Sequence, residues 1–168
     1  NPMRTLTLIR HAKSSWDDSD LSDFERPLAK RGLKDAPRIA QALKQMAWQP
    51  QKILTSPSKR TLQTLSFLTQ TALIPEGSVQ TIDEIYHASY GDLLEILSRQ
   101  NNGNQSLALV GHNPSLNELT RQLTGVNLGN LPTCGVAKMV SDGDHWSDIN
   151  DIHFKLVLLL TPKGLQGV

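Results

Sequence analysis

The segment Ser106-Leu107-Ala108-Leu109-Val110-Gly111-His112-Asn113-Pro114 decides the reading of this 168-residue chain. Ser106 to Val110 is short and apolar after its first residue, which predicts a buried strand. It passes at once into Gly111-His112 and then Asn113-Pro114. That pair predicts a helix capped by Asn113 with Pro114 at its first position, running to about Leu123. A buried strand leading directly into a helix is the repeating unit of a parallel α/β sheet.

The same unit recurs on both sides of this segment. Arg4 to Ile9 carries Leu6, Leu8 and Ile9, predicts a strand, and ends at Arg10-His11. From Arg31 to Ala47 the apolar residues Leu33, Ala36, Ile39, Ala40, Leu43, Met46 and Ala47 follow the threes and fours of an amphipathic helix. Lys52 to Thr55 predicts a second strand, and Lys59 to Gln70, with Leu62, Leu65 and Leu68, a second helix. Pro75 and Gly77 break the chain before a third strand over Val79 to Ile82. Ser89 caps a helix to Arg99, and Asn101 to Asn104 is a turn. Gly135 to Val140 and His153 to Leu160 predict two more strands, with Ser141 to Asn150 a polar loop between them. The alternation predicts an α/β fold with a mostly parallel central sheet. Without repeats or linkers, residues 1–168 read as a single domain, with Asn1-Pro2 before Met3 as a cloning remnant.

Composition narrows the function. Lys and Arg number 17 against 16 Asp and Glu, a net charge of +1, so no nucleic-acid partner is expected. A single cysteine, Cys134, leaves no internal disulfide and no Cys-rich metal motif; it reads as a small core or loop residue. The longest apolar run, Leu156 to Leu160, is far short of the roughly 20 residues a bilayer needs, so no membrane partner is expected. With no signal segment at the start, the expected location is cytoplasmic. Asn104-Gln105-Ser106 matches a glycosylation acceptor and reads as chance in that setting.

Ligands of open α/β sheets bind beyond the carboxyl ends of the strands. Arg10 and His11 follow the first strand; Ser56, and Arg60 a helical turn later, follow the second. Asp83, Glu84 and His87 follow the third, and Gly111, His112 and Asn113 the fourth. Arginine forks match phosphate oxygens, and histidine serves as nucleophile or proton carrier near neutral pH. The helix after Asn113 would add amides at its N-terminus, and Gly111 would let backbone approach a ligand. Taken singly, each residue has an ordinary explanation: an arginine pairing with a surface carboxylate, a structural histidine, His87 packed on Tyr86. Their coincidence after successive strands points to phosphoryl transfer. Neither a Gly-x-x-x-x-Gly-Lys loop, a Gly-x-Gly-x-x-Gly pattern nor a His-Glu-x-x-His is present. A metal held by His11, His112 and a carboxylate would be opposed by the arginines.

Leu8-Ile9-Arg10-His11-Ala12-Lys13 resembles the signature of the histidine phosphatase superfamily, with Ala12 where the usual signature has glycine. Arg10 to Trp16 resembles the small phosphohistidine phosphatase branch, the SixA type. So do Arg26-Pro27-Leu28 with Arg31-Gly32, Thr55-Ser56-Pro57 with Arg60 and Gln63-Thr64, Tyr86-His87-Ala88-Ser89, Val110 to Pro114, and Leu131-Pro132-Thr133 with Gly135-Val136-Ala137. The resemblance implies a three-layer α/β/α sandwich of the phosphoglycerate mutase-like kind. It implies His11 as the nucleophile that becomes phosphorylated, and Arg10, Arg60 and His112 completing the phosphate pocket. Ser14 and Asn113 are its expected neighbours, and Glu84 its candidate general acid. It implies no metal and no cofactor.

On this reading the chain is a phosphatase that hydrolyses phosphohistidine on a protein. The alternatives are a small-molecule phosphomonoesterase acting on a sugar or nucleotide phosphate, and a non-catalytic phosphate-binding module. Mutase activity fits less well, because larger relatives use added segments to enclose their substrate. The long stretch Ser14 to Leu28, with Asp17, Asp18, Asp20, Asp23 and Glu25, reads as a solvated acidic loop or as a lid for a basic partner.

Overall fold

The computed structural model describes residues 3–165, so Asn1-Pro2 lies outside the described residues. The strands are β1 (Arg4–Arg10), β2 (Lys52–Thr55), β3 (Val79–Thr81), β4 (Ser106–Gly111), β5 (Val136–Ser141) and β6 (Lys155–Leu160). The helices are α1 (Lys30–Gln45), α2 (Lys59–Ala72), α3 (Tyr90–Ser98) and α4 (Ser115–Thr124). The six strands form one sheet in the order β3-β2-β4-β1-β5-β6. The first four are parallel; β5 pairs antiparallel with β1, and β6 with β5.

Alternation along the strands feeds two cores. Leu6, Leu8, Leu54, Leu107, Leu109 and Met139 face α3 and α4, while Ile9, Ile53, Ala108, Val110 and Val136 face α1 and α2. The result is the expected three-layer sandwich. Each buried leucine or isoleucine contributes about 1.5–3 kcal/mol by leaving water, so the central strands fix the sheet's register.

Several expectations shift at the edges. On α1, Gly32 and Asp35 continue the buried stripe of Ala36, Ile39, Ala40 and Leu43, while Leu33 stays exposed. Asp35 is buried because its carboxylate takes Arg31 at 3.4 Å and Arg38 at 4.0 Å. On α2, Leu65 and Leu68 are buried but Leu62 is exposed. Pro114 is the N-cap of α4 and not its first residue, while the Asn113 side chain accepts from the Asn117 amide at 3.3 Å. Ser89 caps α3 as expected, in a reciprocal pair with Asp92.

The segment Ser141 to Asn150 is no mere polar loop. It carries a 3-10 turn over Trp146–Asp148 whose Trp146 is fully buried, stacks on Phe154 and donates its indole N–H to the Asn104 carbonyl at 2.7 Å. Cys134 is buried, as expected, and takes a positive φ of 60°. Among the described residues no helix is long and apolar enough to cross a membrane.

Candidate active site

Strand register builds the site. Arg10 on β1 is level with Gly111 on β4, so His11 and His112, the next residues of parallel neighbours, stand side by side with ring centroids 5.4 Å apart. Thr55 on β2 is level with Val110, which brings Ser56 alongside. The row His11, His112, Ser56 therefore lies beyond the carboxyl ends of β1, β4 and β2. A cavity of about 190 Å³ opens there, and its walls include Arg10, His11, Ser14, Arg60, His112 and Asn113.

His11 is buried and its Nδ1 lies 2.7 Å from the Ala12 carbonyl oxygen. A carbonyl only accepts, so Nδ1 carries the proton and Nε2 keeps a free lone pair. Burial, with Arg60, Arg10 and Arg26 nearby, lowers the His11 pKa to about 4, against a partly offsetting bond to Ala12. The loop behind it is tied to α2: the Ala12 amide donates to Thr64 Oγ1 at 2.9 Å, and that hydroxyl donates to the Arg60 carbonyl at 2.7 Å.

His112 is tuned the same way. Arg60 Nη2 approaches its Nδ1 at 3.5 Å, and its Nε2 lies 2.8 Å from Ser56 Oγ. A guanidinium only donates, so Nδ1 accepts and Nε2–H points at the serine. Burial, then His11 and Arg60, lower its pKa to about 3.

The arginines are held from behind. Arg10 gives Nη1 to the Leu131 carbonyl at 2.9 Å, and burial followed by Arg60 lowers its pKa. Arg60, at the start of α2, gives Nη1 to the Asp23 carbonyl at 2.8 Å and Nη2 to Asp23 Oδ2 at 3.1 Å. The Nε–H groups of Arg10 and Arg60 are buried and have no protein acceptor, a deficit that an anion among these residues would relieve.

Asp23 is the hub of this arrangement. It sits in a 3-10 turn over Asp23–Glu25 and takes Arg60, Arg26 at 3.1 Å and the Tyr86 hydroxyl at 2.5 Å. Those bonds, Tyr86 first, outweigh partial burial and hold its carboxyl at a pKa of about 2. Arg26 is itself buried, and its guanidinium lies 3.4 Å over the ring centre of the exposed Trp16. Arg26 and Trp16 also line the cavity. The sequence marked Arg26 and Tyr86 only within resembling segments; the Asp23-x-x-Arg26 spacing on an acidic loop was the available signal. The Ser14–Leu28 bridge closes that loop, leaving Asp17, Asp18 and Asp20 in solvent while the half-exposed Asp23 reaches Arg60.

Other expected residues go elsewhere. Glu84 is exposed and lines a separate depression beside α3 together with Lys52, Asp92 and Arg99. The 3-10 turn Asp83–Ile85 drives Ile85 into the core, which sends Glu84 outward and brings Tyr86 round to Asp23. Asn113 borders the cavity, but its amide N–H groups go to Asn130 Oδ1 and the Leu131 carbonyl, both at 2.9 Å. The second and third amides of α4 are taken as well, Leu116 by the His112 carbonyl and Asn117 by Asn113. A Cβ at Gly111 would meet Ile85 and Leu109 at 3.4 Å, an ordinary packing distance. His87 lies on Tyr86, with centroids 4.1 Å apart. Among the described residues no group of three His, Cys, Asp or Glu side chains is placed to hold a metal ion.

The model of the histidine phosphatase superfamily (branch 1) matches residues 6–96. An uncharacterized chloroplastic protein of Arabidopsis thaliana is 37% identical over 153 residues, covering 86% of this chain and 70% of its own length. An uncharacterized protein of Picosynechococcus is 31% identical over 166 residues, covering 95% and 98%. Among solved structures, a protein assigned as the phosphohistidine phosphatase SixA of Agrobacterium tumefaciens superposes with a TM-score of 0.82 at 28% identity, covering 95% of this chain and 98% of that one. The chain belongs to the histidine phosphatase superfamily, has its phosphoglycerate mutase-like fold, and is a phosphatase.

Proposed function

We propose that this phosphatase hydrolyses phosphohistidine on a protein through a phosphoryl-enzyme intermediate on His11. The observation that carries the reading is the absence of a usable carboxylic acid at the cavity among the described residues. Asp23 is ionised down to a pKa of about 2 and committed to Arg60, Arg26 and Tyr86, and Glu84 stands outside. An alkoxide leaving group needs a strong acid, whereas the imidazole of phosphohistidine departs with far less help. The likeness to the Agrobacterium protein supports the same substrate class.

His11 Nε2 attacks phosphorus as the substrate's P–N bond breaks, and the imidazole leaves neutral on a proton that His112 passes to it and later regains from the attacking water. Water then attacks phospho-His11, releasing phosphate and restoring the free imidazole. Arg10, Arg60 and Arg26 supply the fixed positive charge that stabilises the phosphoryl oxygens, commonly the largest catalytic contribution. The incoming negative charge raises the pKa of His112 from its low resting value, which suits it to carry a proton between leaving group and water. Ser14 and Asn113 frame the cavity. The fit to an anion rests on the arginines and histidines of this chain, so no metal or cofactor is part of the proposal.

The test is phosphate release from a histidine-phosphorylated protein in metal-free buffer, comparing the parent with His11→Ala. Rapid release that disappears in the variant is the expected result. Turnover of a small phosphate ester that depends on His11, with none of the phosphoprotein, would identify a metabolite phosphatase instead.

A further inference from the structure

Trp16 is the exception among the three tryptophans. Trp48 and Trp146 are buried, whereas Trp16 is 73% exposed and still forms part of the wall of the phosphate cavity. Its place comes from the closed acidic loop. The Ser14–Leu28 bridge, and the bond from the Ser15 amide to the Pro27 carbonyl at 2.8 Å, run the two arms of that loop antiparallel. The next pair in the same register is Trp16 opposite Arg26, and side chains directly opposite on antiparallel arms meet. The Arg26 guanidinium accordingly lies face-on over the indole centre at 3.4 Å. In its own plane the guanidinium is held at one edge, by Nε–H to Asp23 Oδ1 at 3.2 Å and Nη1 to the Ser15 carbonyl at 3.3 Å. Arg26 is only 7% exposed, although its charge partner Asp23 is half in solvent.

We infer that Trp16 is a positioning residue for Arg26: its ring covers one face of the guanidinium, keeps water from it and holds the fork in the wall of the phosphate cavity. The inference rests on the role proposed above for Arg26 at the phosphoryl group, and it holds for whichever phosphorylated substrate enters. A guanidinium carries five N–H donors, and the bonds to Asp23 and Ser15 leave others for a ligand. Those bonds fix only the edge of the fork. A charge open to water on both faces is screened by salt, whereas a covered one keeps more of its attraction for an anion. The electron-rich face of the indole attracts the cation as well as covering it. Asp23 thus holds the edge of Arg26 and Trp16 its face, which gives an exposed tryptophan a reason to stand at the cavity.

The test is the dissociation constant of inorganic phosphate, read by phosphorus NMR in metal-free buffer at low and at high salt. Trp16→Ala should weaken binding by about tenfold at low salt, and added salt should weaken it more steeply than in the parent, because the uncovered charge is screened. Trp16→Phe keeps a ring over the guanidinium and should stay within about threefold of the parent. Since Trp16 stands mostly in solvent, Tm should be the same in all three proteins. Placed in an Arg26→Ala background, Trp16→Ala should weaken binding by no more than about twofold further, because the ring then has no cation to cover. An equal loss from Trp16→Ala in both backgrounds would mean that the ring acts on the ligand or the loop directly, and would overturn the positioning role. Unchanged binding in Trp16→Ala beside a clear loss in Arg26→Ala would also overturn it, and would leave the proposed function standing. Parent-like binding by Arg26→Ala would overturn both the positioning role and the part given to Arg26 in the proposed function.

Discussion

The carbonyl of Ala12 places the proton of His11. Because Nδ1 is bound to the Ala12 carbonyl, Nε2 is left as the nucleophile, and burial, aided by the surrounding arginines, keeps the ring neutral to a pKa of about 4. Imidazole nitrogen NMR should therefore show His11 with Nδ1 protonated and Nε2 bare from pH 7.5 to 5.5, where an ordinary histidine would change over at about 6.5. Titration of that ring near 6.5 would contradict the site's electrostatics. The arginines behave differently from the carboxylate outside. Arg26→Ala removes a buried charge held by Asp23, so kcat/KM should fall by roughly 10- to 100-fold, chiefly through KM, as expected for a charge-assisted contact to phosphate. Glu84→Gln should change it by less than about twofold, as for a surface substitution remote from the chemistry. At this scale Arg10, His11, Arg60 and His112 were legible, because each follows a strand end at a fixed spacing. Asp23, Arg26 and Tyr86 were not, because they meet only after a loop has folded back across the site.

Helix α1 supports the site without contributing a side chain to it. Its Gly32 lies against the loop that follows His11, and a Cβ there would stand 2.3 Å from the Lys13 carbonyl oxygen and 3.1 Å from its amide nitrogen. Both are backbone atoms, and the Lys13 carbonyl already accepts from the Ala29 amide at 2.8 Å, so neither can yield cheaply. Gly32→Ala should therefore cost about 1–3 kcal/mol of stability and lower kcat by tenfold or more as the His11 loop is displaced. Gly77→Ala is the control, since nothing lies within 4 Å of its Cβ position. Thermal unfolding and initial rates measured together on the two variants decide the matter; equal behaviour would mean that α1 can retreat. The helical period revealed α1 in the sequence, but periodicity counts apolar side chains. It could not show that the helix's closest approach runs through a glycine, nor that Leu33 would be left in solvent.

At the scale of the whole molecule, the sheet joins the site to stability. The alternating pattern disclosed the parallel half, yet the strand order depends on long-range pairing, and only that order puts β1 beside β4 and so His11 beside His112. His11 is buried and His112 partly buried at this junction, with pKa values lowered to about 4 and 3. An unfolded histidine takes up a proton near pH 6.5, so above that pH neither state binds one and their contribution to stability is complete. Below it the unfolded chain binds the proton first, and stability falls with pH until the folded groups also titrate near 4 and 3. For His11 alone the loss amounts to about 2 kcal/mol at pH 5, or roughly 4–8 °C in Tm for a chain of this size. The double variant His11→Gln and His112→Gln should show a markedly smaller fall in Tm between pH 7 and pH 5 than the parent. Asp23 adds little to that window, because its own depressed pKa of about 2 moves its contribution to more acidic pH. Parallel Tm profiles for parent and double variant would mean that the two histidines take up protons as readily in the folded protein as in the unfolded chain, and the lowered pKa values would then have to be abandoned.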